Sequence, residues 1–235
     1  MGGGGWVCVT PSPVLLAEEC QAAIDEAEAM AAASISQGKG GWGTARHYSV
    51  PTTDVAVKDL PQTIAWFNRI MRKVVQPLVV TASLMGEGDY FSVAEKEVGV
   101  EGQEIQQVKD EGRGREEEVK VGQGKTSGLA PLIRVHDAFI VRYDAEAQQS
   151  LPTHTDQSEI SLTITLNAST EYDGGGTWFE GLGCAVRPEE AGHVVIFPGG
   201  EVMHGGEAIT RGVRYVIAVF MYEHRVEEED EDGDD

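Results

Sequence analysis

Cysteine, aromatic residues and positive charge are all scarce in this sequence. The three cysteines, Cys8, Cys20 and Cys184, are odd in number and far apart in a chain of 235 residues, with no CxxC pair. That excludes a disulfide framework and a zinc ribbon, and it fits a reducing, intracellular and cytoplasmic setting. Lys and Arg number 18 against 39 Asp and Glu, a formal charge of −21. So few bases cannot neutralise many phosphates, so nucleic acid and anionic membrane surfaces are not expected as partners. No apolar run approaches the ~18 residues of a membrane-spanning helix. No base precedes Lys39, and the apolar run from Val14 to Ala17 meets Glu18 and Glu19 at once, so the opening does not read as a secretory signal.

What is present is enough for a folded core. At 41% hydrophobic the chain is not globally disordered, and its length suits one domain with appendages. The charge is concentrated. Residues 227–235 carry eight acids and no base, and residues 86–128 carry 11 acids, 6 bases and nine glycines without a sustained period. These two stretches read as an acidic tail and a low-complexity charged insertion, leaving a moderately acidic globule. The organisation expected is a helical support segment at 1–85, the insertion at 86–128, a β-rich domain at 129–224 and a tail at 225–235.

Within the first segment, Cys20, Ala23, Ile24, Ala27, Met30 and Ala31 recur at helical spacing in an Ala-rich stretch. A second helix is expected after Asp59, with Pro61 in its first turn and an apolar stripe of Ile64, Phe67, Ile70, Met71, Val74, Val75 and Leu78. After Ala130 the texture changes to short strands. Ile160, Leu162, Ile164 and Leu166 alternate with Ser161, Thr163 and Thr165, the pattern of a half-buried strand. Phe139, Val141 and Tyr143 alternate with Ile140 and Arg142, and further strands are expected near 193–197 and 214–222. Short strands separated by Gly-rich turns suggest a sandwich or jelly roll. The fold class expected is α+β, a β core supported by N-terminal helices.

The chemistry-bearing residues cluster in the β half. His154-Thr155-Asp156 is followed fifty residues later by His204, and Arg214 comes ten residues after that. On an extended segment, residues two apart face one side, so His154 and Asp156 can share a pocket. Two imidazoles and one carboxylate suit Fe(II), occupying one face of an octahedron and leaving the other open. The planar fork of Arg214 suits a bidentate carboxylate. Each residue alone has a plainer reading: a turn cap for His154, a loop residue for His204, a strand-edge ion pair for Arg214. Order, spacing and strand context together favour the metal site.

Other candidates read as structural. Arg211 is a rival to Arg214 but looks like a solvated turn residue. Trp178 and Phe179 are expected in the core, and Tyr172 and Asp173 in a turn. His136, His47 and His193 are expected in structural roles, and His224 borders the tail; Trp42 and His47 have a second reading, on a substrate loop. Ser158 has no base near it in sequence, so nucleophilic catalysis is unsupported.

Residues 139–222 resemble the catalytic core of the prolyl 4-hydroxylase and procollagen lysyl hydroxylase group of iron(II)/2-oxoglutarate dioxygenases. The stretches that carry the resemblance are FIVRY, HTDQSEISLTITLN, YDGGGTWF, the FPGG turn and HGGEAITRGVRYVIAVF, in the family's order. The resemblance implies a double-stranded β-helix, or jelly roll, with His154, Asp156 and His204 as Fe(II) ligands. It implies Arg214 and Tyr143 as partners of the 2-oxoglutarate cosubstrate, with Thr177 beside them, and ascorbate as a reductant. The activity implied is hydroxylation of a prolyl or lysyl residue in a peptide or protein, consuming dioxygen and yielding succinate and CO2. The carboxylate of Asp156 disfavours halogenation, since the halogenases of this fold lack it. Arg214 matches the lysyl hydroxylases, where collagen-type prolyl enzymes tend to have Lys, and Phe220 stands where some prolyl enzymes have Trp. The acceptor stays open between prolyl peptide, lysyl peptide and free amino acid or other small molecule, and a non-catalytic interaction protein of the same fold is the alternative from another class.

Overall fold

The computed structural model describes residues 6–38, 41–44, 47, 50–75, 77 and 132–224. The stretches expected as a charged insertion, 86–128, and an acidic tail, 225–235, lie outside the described residues. Helix α1 spans Ala17–Ser36 and buries Cys20, Ala23, Ile24, Ala27 and Ala31, one stripe of its surface. Its first turn holds Glu18 and Glu19, and the Glu19 carboxylate accepts from the Leu16 N–H at 3.1 Å. Helix α2, Pro61–Ile70, starts with Pro at its first position and no cap from its own flank. The cap comes from α1: the Glu26 carboxylate accepts from the backbone N–H of Gln62 and Thr63 and from the Thr63 hydroxyl, at 2.8–2.9 Å. The helical stripe continues past α2 as a wider π turn, Met71–Val75. Leu78 lies outside the described residues.

The strands are β1 (Cys8–Val9), β2 (Asp54–Ala56), β3 (Leu132–Asp144), β4 (Leu151–His154), β5 (Ile160–Thr165), β6 (Asp173–Gly174), β7 (Thr177–Phe179), β8 (Cys184–Val186), β9 (Val194–Phe197), β10 (His204–Gly206), β11 (Ile209–Arg211) and β12 (Val213–His224). A six-stranded antiparallel sheet has the order β1-β9-β5-β12-β3-β2, and a four-stranded one the order β4-β10-β7-β8. The pair β11-β6 closes a corner. This is a jelly-roll core with two supporting helices. The N-terminal segment supplies the helices and also both edge strands of the larger sheet, β1 and β2.

The larger sheet has two different faces. On one, Ile140, Ile160, Leu162, Ile164, Ile217 and Val219 pack against Cys20, Ala27, Phe67 and Ile70 of the helices. On the other, residues one step along each strand look into a cavity between the sheets: Val141 and Tyr143, Ser161 and Thr163, Val216 and Phe220. The alternation in β5 therefore has a different meaning from the half-buried strand expected. Ser161 and Thr165 are each only 2% exposed, so the polar face turns to the interior of the barrel instead of to water.

Candidate active site

The register of the two sheets brings the sequence-predicted residues together. In the smaller sheet His204 on β10 pairs directly with His154 on β4, and the two rings stand 4.6 Å apart. Asp156 follows β4 and is held by its backbone N–H, which donates to the Gly199 carbonyl of the FPGG turn at 2.9 Å. His154 Nε2 lies 3.2 Å from Asp156 Oδ1, and His204 Nε2 lies 3.3 Å from Asp156 Oδ2. One ligand atom from each of the three residues lies within 4.8 Å of the others, close enough to share one metal ion.

The opposite ring nitrogens are also placed. His154 Nδ1 is 2.8 Å from the Pro152 carbonyl and His204 Nδ1 is 2.9 Å from the Val202 carbonyl. A carbonyl only accepts, so each Nδ1 donates to it, and each Nε2 is left facing the Asp156 carboxylate, where it would turn its lone pair to a cation that replaces the proton between them. Burial disfavours the Asp156 anion, but hydrogen bonds with His154, His204 and Ser161 outweigh it and hold the carboxyl well below the usual range. Burial pulls His154 down, and its hydrogen bonds with Asp156 and the Pro152 carbonyl more than compensate, so its pKa is raised. Two imidazole nitrogens and one carboxylate oxygen are a donor set that fits Fe(II).

Of the residues expected at the cosubstrate, Arg214 and Tyr143 lie in the larger sheet and Thr177, on β7, in the smaller one. Arg214 on β12 pairs across the ladder with Tyr143 on β3, and its guanidinium carbon is 5.2 Å from the centre of the Tyr143 ring. Arg214 is 3% exposed, and its Nε has no hydrogen-bond partner among the described residues. A buried charged donor without an acceptor is costly, so this atom fits the missing carboxylate of a bound acid. Burial pushes the Tyr143 phenol up, against the lowering pull of Arg214, so it stays protonated as a donor. Gly206 permits this packing: a Cβ there would sit 2.6 Å from the Tyr143 hydroxyl. Thr177 is 5% exposed, and all six predicted site residues line one cavity of about 290 Å³.

The other candidates are scattered. Arg211 is exposed and forms an ion pair with Asp173 at 2.6 and 2.9 Å. Trp42 packs on Tyr215 and donates to Glu28 at 3.2 Å. His193 hydrogen-bonds the Thr10 carbonyl through Nδ1 at 2.9 Å, a structural role. His136 is exposed beside the Tyr222 ring. Phe179 is fully buried, in contact with Phe197, whose ring lies 4.4 Å from that of His204. Tyr172 is more than the turn residue expected: at 5% exposure it packs with Phe139, Tyr143 and Ile209, because the Asp173–Arg211 corner folds it inward.

His47 lines the cavity, its ring tilted against that of Phe139 at 4.2 Å, with Nε2 3.6 Å from the Asp54 carboxylate. Val50 and Thr52 join it, because Gln148 clamps this segment by accepting from the Thr53 N–H and donating to the Pro51 carbonyl. Sequence reading missed Val50, Thr52, Ser161 and Thr163 as cavity residues. Only the period-2 placement of Ser161 and Thr163 opposite the core face of β5 carried a signal.

No family model matches the chain. A multifunctional procollagen lysine hydroxylase and glycosyltransferase of Caenorhabditis elegans is 40% identical over 85 residues. Human procollagen-lysine,2-oxoglutarate 5-dioxygenase 1 is 37% identical over 86 residues. The chain resembles the procollagen lysyl hydroxylases. The matches cover 35% and 36% of this chain and 12% of each relative, so the likeness spans about an eighth of those longer proteins. Among solved structures, the viral collagen prolyl hydroxylase of Paramecium bursaria Chlorella virus-1, in complex with 2-oxoglutarate, superposes with a TM-score of 0.50. It is 14% identical, covering 93% of this chain and 96% of that one, and supports the shared fold.

Proposed function

We propose that the chain is an Fe(II)- and 2-oxoglutarate-dependent dioxygenase that hydroxylates a prolyl or lysyl residue in a peptide or protein, with succinate and CO2 as coproducts. The observation that carries this reading is the convergence of the His154–Asp156–His204 cluster and the buried pair Arg214–Tyr143 on one cavity. His154, Asp156 and His204 would hold the metal, which when bound supplies the dioxygen chemistry that an unactivated C–H bond requires.

The protein's own part is binding, orientation and exclusion of water. Arg214 would pair with the far carboxylate of 2-oxoglutarate, and the protonated Tyr143 hydroxyl would donate to the same group. Thr177 offers a third polar contact. Val141, Val216 and Phe197 give the cavity apolar walls, so the carboxylate is held where its charge pairing is strong. Phe220, Ala218, Val50 and His47 line the same cavity and are the surfaces open to an acceptor. Ascorbate as reductant rests on the resemblance alone. The formal charge of −21 favours neutral or basic peptides over acidic ones and disfavours nucleic acid.

The test is succinate formation from 2-oxoglutarate by the Fe(II)-loaded chain, with and without a peptide library of prolyl and lysyl sequences, followed by mass spectrometry to locate added oxygen. Peptide-stimulated succinate with oxygen on a prolyl or lysyl side chain supports the reading. Equal turnover with free proline or lysine would move the acceptor to free amino acids, and no succinate under any condition would refute the enzyme reading.

A further inference from the structure

Behind Asp156 lies a pair of hydroxyls that the sequence did not connect to the site. Ser161 on β5 donates to Asp156 Oδ2 at 2.5 Å, and Ser158 Oγ lies 2.7 Å from Ser161 Oγ. Ser158 is 6% exposed and Ser161 2%. The direction of the chain follows from the proton inventory. An ionised carboxylate only accepts, so Ser161 gives it its single proton, and Ser158 must then donate to Ser161. We infer that Ser158 and Ser161 form a directed hydroxyl relay that fixes the orientation of the Asp156 carboxylate for metal binding, and that Gly199 is glycine to make room for it. The inference rests on the metal reading above.

Three features support a built device over casual packing. The chain ends on a carboxylate oxygen, so each bond is strengthened by the charge, and a buried series of hydroxyls polarises along its length. The Ser161 hydroxyl engages Oδ2, the oxygen 3.3 Å from His204 Nε2, while Oδ1 faces His154 Nε2 at 3.2 Å, so the two oxygens are distinguished and one carboxylate orientation is favoured over its flip. The turn that closes over the pair is shaped to it. A Cβ on Gly199 would overlap both serine oxygens, while the Gly199 carbonyl receives the Asp156 N–H at 2.9 Å and its own N–H donates to the Glu159 carbonyl at 3.2 Å. The same turn thus holds the Asp156 backbone and leaves the space in which its side chain is supported. Ser158 and Ser161 are positioning residues: they act on the metal through Asp156.

The experiment measures Co(II) binding to the metal-free full chain, by calorimetric titration, alongside the thermal midpoint of each variant. Ser161→Ala should raise the Co(II) Kd about 10–100-fold, the usual consequence of losing a hydrogen bond behind a metal ligand, with the midpoint little changed. Ser158→Ala should weaken binding less. The double variant should be no weaker than Ser161→Ala, since Ser158 acts only through Ser161. Gly199→Ala keeps both hydroxyls but drives the turn into them, and should reproduce the loss. Wild-type affinity in Ser161→Ala or in Gly199→Ala, or additive losses in the double variant, would overturn the relay and leave the proposed function standing. Failure of the wild-type chain to bind Co(II) would show itself before any variant is compared, and would overturn the metal reading and the relay with it.

Discussion

Truncating Arg214 is the sharpest probe of the cosubstrate end. The residue is 3% exposed, lies against the Tyr143 ring and keeps an unpartnered Nε inside the cavity. Removing one member of a buried, hydrogen-bonded charge pair costs roughly 2–5 kcal/mol. At about 1.4 kcal/mol per factor of ten, Arg214→Ala should weaken 2-oxoglutarate roughly 30-fold to several thousandfold. Arg214→Lys keeps the charge but loses the planar fork, and should fall between that and wild type. The assay is the apparent KM for 2-oxoglutarate from succinate formation, with direct binding to the metal-loaded chain as a check. Arg211→Ala is the control: its ion pair with Asp173 is fully exposed, and screening leaves such pairs little effect. The reasoning is refuted if Arg214→Ala binds 2-oxoglutarate within about twofold of wild type while folded, or if Arg211→Ala causes the larger loss.

Three further outcomes are expected. Asp156→Ala leaves two imidazoles, so Fe(II) retention and 2-oxoglutarate turnover should be lost while circular dichroism stays native; near-native turnover would reassign the ligand set. Alkylation should modify exposed Cys184 quickly and spare Cys20, whose thiol is pushed up to about 12 by burial and then by Glu19; peptide mapping showing equal labelling would contradict that burial. Tyr215 is raised to about 12, first by burial and then by its hydrogen bond to Glu28, with Arg142 opposing. A raised folded pKa means its contribution to stability is complete below about pH 10 and is lost as pH climbs through 12. Tyr215→Phe should remove that alkaline loss in thermal midpoints measured across the window, and an unchanged profile would rule it out.

Much of the candidate site was legible because its residues sit at local spacings with a mechanical meaning. His154 and Asp156 are two apart on extended chain, and Arg214 opens a strand whose alternate residues share its face. The same period made β3 and β5 readable, short apolar stretches between Gly-rich turns did so for β9 and β12, and helical spacing with Pro61 made α1 and α2 so. Their type follows from local pattern alone. Where the pattern was too short, nothing could be read: β1 has two residues and β2 three, fewer than two cycles of a two-residue period, yet they form both edges of the main sheet.

Tertiary structure decided what each face meets. Alternation in β5 separates two sets of side chains but does not say that the polar set faces a buried site and not water; that required a second sheet to close over it. Arg214 opposite Tyr143, and His204 opposite His154, are consequences of antiparallel register, which is settled by packing over the whole sheet. Asp156, Ser161, Ser158 and Gly199 come together because the FPGG turn folds back over β5 from nearly forty residues away. His47 reaches the cavity while His193 binds a backbone carbonyl, and their local sequences do not separate them. Residue type and local period determined which groups were available for chemistry; the non-local hydrogen bonds and contacts between the two sheets determined which of them share a cavity.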